Sequence, residues 1–108
     1  MKRRKVVLSS AASDDVVALL EYAMVPLDVE AAVKLDAVLD EALASLAQLA
    51  DRARVVPELR ARGIGVYREV IRGVYRVIYR VMDREVWVLA VVDGRRQLDG
   101  VLYERARR

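Results

Sequence analysis

The stretch "VYREVIRGVYRVIYRVMDREVWVLAVV", Val66 to Val92, decides the fold. β-Branched and aromatic residues dominate it, and turn signals interrupt it at Arg72-Gly73 and Met82-Asp83-Arg84. Three strands result, "VYREVIR", "VYRVIYRVM" and "EVWVLAVV". Links so short join only antiparallel neighbours, so the expected sheet is a meander.

Turns centred on Arg72-Gly73 and Asp83-Arg84 divide the side chains between two faces. Val66, Val70, Tyr75, Val77, Tyr79, Val81, Val86, Val88, Ala90 and Val92 share one face, interrupted by Arg68. Tyr67, Glu69, Ile71, Val74, Arg76, Ile78, Arg80, Trp87, Leu89 and Val91 share the other. In this register Glu69 lies opposite Arg76 as a cross-strand ion pair, and Arg80 lies opposite Trp87 as a cation and ring contact. The first face is expected to bury against helices. The second is too apolar for open water yet carries arginines, so it is expected to be covered by the last helix and in part reserved for a partner.

Upstream, "KVVLSS", Lys5 to Ser10, reads as a short first strand. Ser10 or Ser13 is placed to cap a helix whose first turn holds Asp14 and Asp15, favourable at the positive end of the helix dipole. Val16, Leu19, Leu20 and Ala23 fall on one face of that helix, and Pro26 closes it. Asp28 caps a second helix, residues 28 to about 53, with a stripe of Leu35, Leu39, Ala42, Leu46, Leu49 and Ala53. The tight link makes the two helices an antiparallel hairpin. Packing of the stripe on its own sheet is favoured over a coiled-coil seam for so short a repeat. Downstream, Gly94 permits a turn, and a last helix from Gln97 to about Arg107 offers Val101 and Leu102. The fold class is therefore α+β, one domain over residues 1–108: an N-terminal strand and antiparallel helix hairpin packed on an antiparallel meander, with a short C-terminal helix.

Composition narrows the chemistry. The 108 residues include no cysteine and no histidine, which removes thiolate chemistry, disulfides, the commonest general base and the commonest metal ligand. No glycine-rich phosphate loop, metal-ligand spacing or serine-nucleophile motif occurs, so neither a metal nor a cofactor is expected. The apolar run Val6 to Leu8 is too short for a signal-peptide core and no stretch reaches membrane-spanning length, which predicts a cytoplasmic protein without a membrane partner. Residues 6 to 50 hold one basic residue, Lys34, against eight acids, whereas residues 51 to 108 carry fourteen arginines against eight acids. A basic second half suits an acidic partner or nucleic acid.

The residues left to act are arginines and aromatics: Arg68, Arg76, Arg80, Arg95, Arg96, Tyr67, Trp87 and Tyr103. Arginine grips phosphate or carboxylate in two-point fashion, and tyrosine stacks on bases or moves a proton. Arg95 and Arg96 stand out, because a loop between a strand and a helix has no need of two adjacent cations for stability.

"VVPELR", Val55 to Arg60, then "YREVIRGVYRVIYRV", Tyr67 to Val81, then "VWVLAVVDGRRQL", Val86 to Leu98, resemble the run of motifs in the ParE/RelE superfamily of bacterial type II toxins. The resemblance implies a helix hairpin against an antiparallel sheet, and a small toxin neutralised by a cognate antitoxin that wraps around it. It implies two alternative activities. ParE-type members poison DNA gyrase as binding proteins, and for that branch Arg68, Arg76, Arg80, Trp87, Arg95 and Arg96 are the target- or antitoxin-binding candidates. RelE-type members cleave messenger RNA on the ribosome without a metal, and for that branch Arg76, Arg96 and Tyr103 match the catalytic positions.

The pattern departs from the RelE type where lysines are expected, since Tyr67 and Glu69 stand there, and an acid cannot stabilise a phosphorane. Tyr103 is displaced by one residue, which turns a helical side chain by about 100 degrees. Asp93 replaces the histidine usual before the final Gly-x-Arg. The Arg68-Glu69 pair resembles the ParE branch, so gyrase poisoning is the favoured function and ribosome-dependent RNA cleavage the alternative. A third is a non-toxic relative acting only in antitoxin complexes, which alone would meet operator DNA.

Overall fold

The computed structural model describes residues 3–108. β1 (Lys5–Leu8) leads into α1 (Ser10–Met24), and α2 (Val29–Leu49) returns antiparallel to it. A 3₁₀ turn (Ala50–Arg52) leads to β2 (Arg54–Val55) and the one-turn helix α3 (Pro57–Arg60). β3 (Tyr67–Arg72), β4 (Tyr75–Met82) and β5 (Glu85–Asp93) form the meander, and α4 (Asp99–Ala106) ends the fold. The sheet order is β1-β5-β4-β3-β2, with β1 parallel to β5 and the other pairs antiparallel.

The helix hairpin is set by its caps. Ser9, rather than Ser10 or Ser13, caps α1: its Oγ accepts from the N–H of Ala12 at 3.0 Å, while its own N–H donates to Val88 O at the end of β1. Starting the helix that early moves Asp14 and Asp15 out of its first turn. Asp28 caps α2 as expected, accepting from the N–H of Ala31 at 2.9 Å. Between them Leu27 takes φ 56°, a left-handed conformation rare for a residue with a side chain.

The stripe of α2 packs on the chain's own sheet. Leu35, Leu39, Ala42 and Leu46 join Ala12, Val77, Tyr79, Val86 and Val88 in the main core. The stripe breaks at one place: the helix ends at Leu49, which is 41% exposed, and Ala50 of the 3₁₀ turn is buried in its stead, whereas Ala53 beyond it packs against the core as expected. Tyr79 crosses this core to donate its hydroxyl to Ala50 O at 2.6 Å, and burial pushes its pKa up to about 12.

Two features of the sheet depart from the expected register. The first turn is centred on Gly73-Val74, with Arg72 paired to Tyr75 and Gly73 at φ 60°. Glu69 therefore faces Ile78, and Ile71 faces Arg76. The displacement is two places along the partner, which preserves faces, so Glu69 and Arg76 still meet diagonally. The second feature is a bulge: Tyr79 pairs with Val88 and Ile78 with Ala90, so Leu89 is an extra residue on β5. Past it the faces invert. Val91 enters the hairpin core, while Ala90 and Val92 turn to the other side, the reverse of the simple alternation.

The second face is a core of its own. Val56 and Leu59 around α3, Leu98 and Leu102 of the α4 segment, and Tyr67, Ile78 and Ala90 of the sheet are all buried there. α4 alone does not cover it; the segment around Pro57 supplies the other half through Val56 and Leu59. Ile71 and Trp87, at opposite ends of this face, stay 44% and 41% exposed.

Candidate functional site

Arg76 and Glu69 lie on the second face of the sheet, and both are buried. Arg76 Nε donates to Glu69 Oε1 at 2.6 Å, and its Nη1 and Nη2 donate to Glu58 Oε2 and Oε1 at 2.6 and 2.7 Å. Arg54 Nε donates to the remaining oxygen of Glu69 at 2.6 Å. Two arginines and two glutamates thus form a neutral square across β2, α3, β3 and β4, hydrogen-bonded on three sides, with Arg54 reaching Glu58 only through space. The hydrogen bonds from Arg76 hold the Glu58 carboxyl below the ordinary carboxylate range against the burial that would raise it, and those to Glu58 hold Arg76 above the ordinary arginine value. A guanidinium with all three nitrogens on carboxylates presents no free donor edge to a phosphate.

The β5 exit is built in the opposite way. Gly94 sits against the stem of Arg76: a Cβ there would lie 2.7 Å from Arg76 Cδ and 3.0 Å from Val74 O. The glycine is therefore required by close approach, since its φ is not in the left-handed region. Arg95 folds back on Asp93, with Nε to Oδ1 at 3.0 Å and Nη2 to Oδ2 at 2.7 Å. Those side-chain bonds, joined by the Arg95 N–H, lower the Asp93 pKa to about 2. Arg96 is exposed, and its guanidinium makes no hydrogen bond or ion pair among the described residues.

Arg96 opens on a groove of about 410 Å³ between α1 and the β5–α4 loop, whose lining includes Asp15, Leu19, Tyr22, Val92, Asp93 and Arg95. Asp15 fixes the groove's geometry. Its carboxylate accepts from Arg105 Nη1 and Nη2 at 2.6 and 2.8 Å and from the N–H of Val91 at 2.9 Å, past the end of β1. Arg105 Nη1 also reaches the carbonyl of the bulged Leu89 at 3.2 Å. One carboxylate therefore ties α1, β5 and α4 together beside the bulge.

The other candidates are scattered. Arg68 lies on the hairpin side and donates to Ala53 O at 2.6 Å. Arg80 faces Trp87 in register as expected, but its guanidinium sits 5.9 Å from the Tyr67 ring centroid, and the indole N–H of Trp87 donates to Glu85 instead. Arg80 Nε is buried without a hydrogen-bond partner. Tyr103 is held between Arg62 and Arg107, at 4.3 and 5.7 Å from its ring centroid; these are its cationic partners, not Arg76 or Arg96.

Residues 6–98 match the sequence profile of the ParE toxin of the type II toxin-antitoxin system, parDE. The chain belongs to the ParE toxin family. Its fold is similar to that of solved toxin-antitoxin structures, two of which illustrate it. One is the chromosomal ParDE system from P. aeruginosa, 20% identical, covering 84% of this chain and 96% of that one with a TM-score of 0.66. The other is the RelBE2 toxin-antitoxin complex from Mycobacterium tuberculosis, 24% identical, covering 86% of this chain and 93% of that one with a TM-score of 0.62. No curated protein matches. The ParE-family fold agrees with the architecture expected from the sequence.

Sequence reasoning missed Glu58, Arg54, Asp15 and Tyr22 as parts of these sites. Glu58 had one local signal, since Pro57 at the first helical position and an acid in the first turn together start a helix. Asp15 and Arg105 are 90 residues apart in sequence, and nothing local joins them.

Proposed function

We propose that this ParE-family chain is a growth-inhibiting toxin that acts by binding DNA gyrase, uses no catalytic residue of its own, and is held inactive in the cytoplasm by a cognate antitoxin. The observation that carries this reading is the state of Arg76. In an RNA-cleaving toxin an arginine at this position faces a phosphate; here Glu58 and Glu69 occupy all three of its nitrogens. Glu69, where a cation would be needed, is the buried acid of the same square. Charge that must build on a reacting phosphorus finds no paired donors there.

What remains accessible is suited to binding. Arg96 and the exposed face of Trp87 offer a cation and a ring, which protein partners use as anchors. The antitoxin partner is supported by the structural neighbours described above, which are toxin-antitoxin assemblies. Operator DNA enters this reading only through that complex.

The test is induction of the chain alone in a bacterial host, then with its neighbouring antitoxin gene. Growth arrest with gyrase-dependent DNA breaks and an SOS response, relieved by the antitoxin, is the expected result. Messenger cuts at the ribosomal A site without breaks would replace this reading with the RelE-like one. Unimpaired growth would leave a non-toxic member of the family.

A further inference from the structure

The groove beside Arg96 has a charge pattern that specifies its ligand. Five ionised side chains line or brace it, and four are already committed: Asp93 to Arg95, and Asp15 to Arg105. With Arg105 as the brace behind Asp15, these form two closed pairs, and Arg96 is left as a single uncommitted cation. Around it the wall is apolar, made by Ala18, Leu19 and Val92, with Tyr22 standing 80% exposed at the rim.

We infer that this groove takes a peptide segment of a partner protein that carries one carboxylate beside apolar side chains, the carboxylate on Arg96 and the apolar groups against Leu19, Val92 and Tyr22. A guanidinium holds a carboxylate through two parallel hydrogen bonds, and a partly enclosed apolar wall strengthens them by excluding water. A nucleic-acid strand fits less well. Its phosphates repeat along the chain and need several cations, whereas this groove offers one without a side-chain partner, its other charges being closed in pairs. A lone acid in an apolar context matches that single cation. The inference rests on the β5 exit being a partner-binding surface, but not on which protein is the partner.

The test is fluorescence polarisation with the full chain and three short labelled peptides of Leu and Ala that differ at one central position, Glu, Gln or Lys. The Glu peptide is expected to bind about tenfold more tightly than the Gln peptide. Arg96→Gln should abolish that preference, and Arg96→Glu should transfer it to the Lys peptide, which also shows that the variant remains folded. Equal binding of the Glu and Gln peptides, no binding, or a preference that survives Arg96→Gln overturns the inference. So does displacement of the Glu peptide by a short single-stranded RNA at lower concentration than by the unlabelled peptide. Growth inhibition is read separately, so a chain that arrests growth but shows no acid preference defeats this inference alone, and a harmless chain that shows it defeats only the toxin reading.

Discussion

Arg76, whose stem packs against Gly94, and Arg96, two residues beyond that glycine, belong to different motifs, and the molecule treats them in opposite ways. Only 9% of the Arg76 side-chain surface meets solvent, and its three nitrogens are spent on Glu58 and Glu69. Arg96 is exposed, and its side chain makes no hydrogen bond or ion pair among the described residues. A cation taken out of water must have opposite charge within hydrogen-bond reach, whereas a cation left in water stabilises almost nothing by being there. Two arginines beside one glycine thus divide into one closed within the fold and one whose side chain has no partner among the described residues.

The largest break in this comparison comes from opening the buried square. Arg76→Ala leaves Glu69 with Arg54 alone and strands Glu58, and Glu69→Ala leaves the buried Arg76 on Glu58 alone with its Nε unpaired and removes the partner of Arg54. Each is expected to cost about 3–5 kcal/mol, the range for removing one member of a buried ion pair. Urea denaturation followed by circular dichroism measures it. A loss under about 1 kcal/mol would mean that the square is no more than a surface network.

Gly94→Ala comes next and tests whether the two regions are mechanically joined. The new methyl would meet the Arg76 stem at 2.7 Å and the Val74 carbonyl at 3.0 Å. Overpacking of this kind costs about 1–3 kcal/mol. Because the clash is with Arg76 itself, the double variant with Arg76→Ala should lose less than the sum of the two single losses, a coupling that a double-mutant cycle reads directly. Strict additivity would show that Gly94 is constrained by the backbone carbonyl alone.

How far these roles could be read from the sequence follows from what each depends on. The three strands, the Asp28 cap and the α2 stripe up to Leu46 depend on local spacing, and the sequence displays them. The Arg80–Trp87 register depends on a turn between Met82 and Glu85, which is also local. The bulge at Leu89 leaves no mark in an unbroken apolar run, so the sides taken by Ala90, Val91 and Val92 could not be read. The role of Arg76 depends on Glu58, which arrives from a one-turn helix 18 residues upstream, so an arginine that matched a catalytic position proved to be occupied. The sequence singled out Arg95 and Arg96 together, and which of the two folds back on Asp93 depends on the loop's conformation and not on spacing.

Glu58 supplies a smaller, pH-dependent handle. Its folded carboxyl titrates below the unfolded one, chiefly through the hydrogen bonds from Arg76. The stability it contributes is therefore complete above the unfolded value, about 4.3, and disappears as the pH falls through the folded value. Glu58→Gln should cost about 1 kcal/mol at neutral pH. The gap between the parent and Glu58→Gln melting temperatures should narrow as the buffer is taken below about pH 4.5. A constant gap would place the pH sensitivity elsewhere, for example at Glu41, whose carboxyl is lowered by its hydrogen bond from Arg72.

The smallest expected effect on stability is at the exit loop, and there the comparison is sharpest. Arg96→Ala should change the unfolding free energy by no more than about 0.5 kcal/mol, as an exposed substitution without a partner does. It should nonetheless reduce the colony loss that follows induction. Arg95→Ala is expected to weaken growth inhibition as well, by an indirect route: it removes the pairing that holds Asp93, and the freed carboxylate then lies beside Arg96 and neutralises the one cation the groove offers. Adding Asp93→Asn to Arg95→Ala should therefore restore inhibition while leaving Arg95 absent. If the double variant stays as weak as Arg95→Ala, Arg95 touches the target itself, and its pairing with Asp93 is the resting state of a second contact.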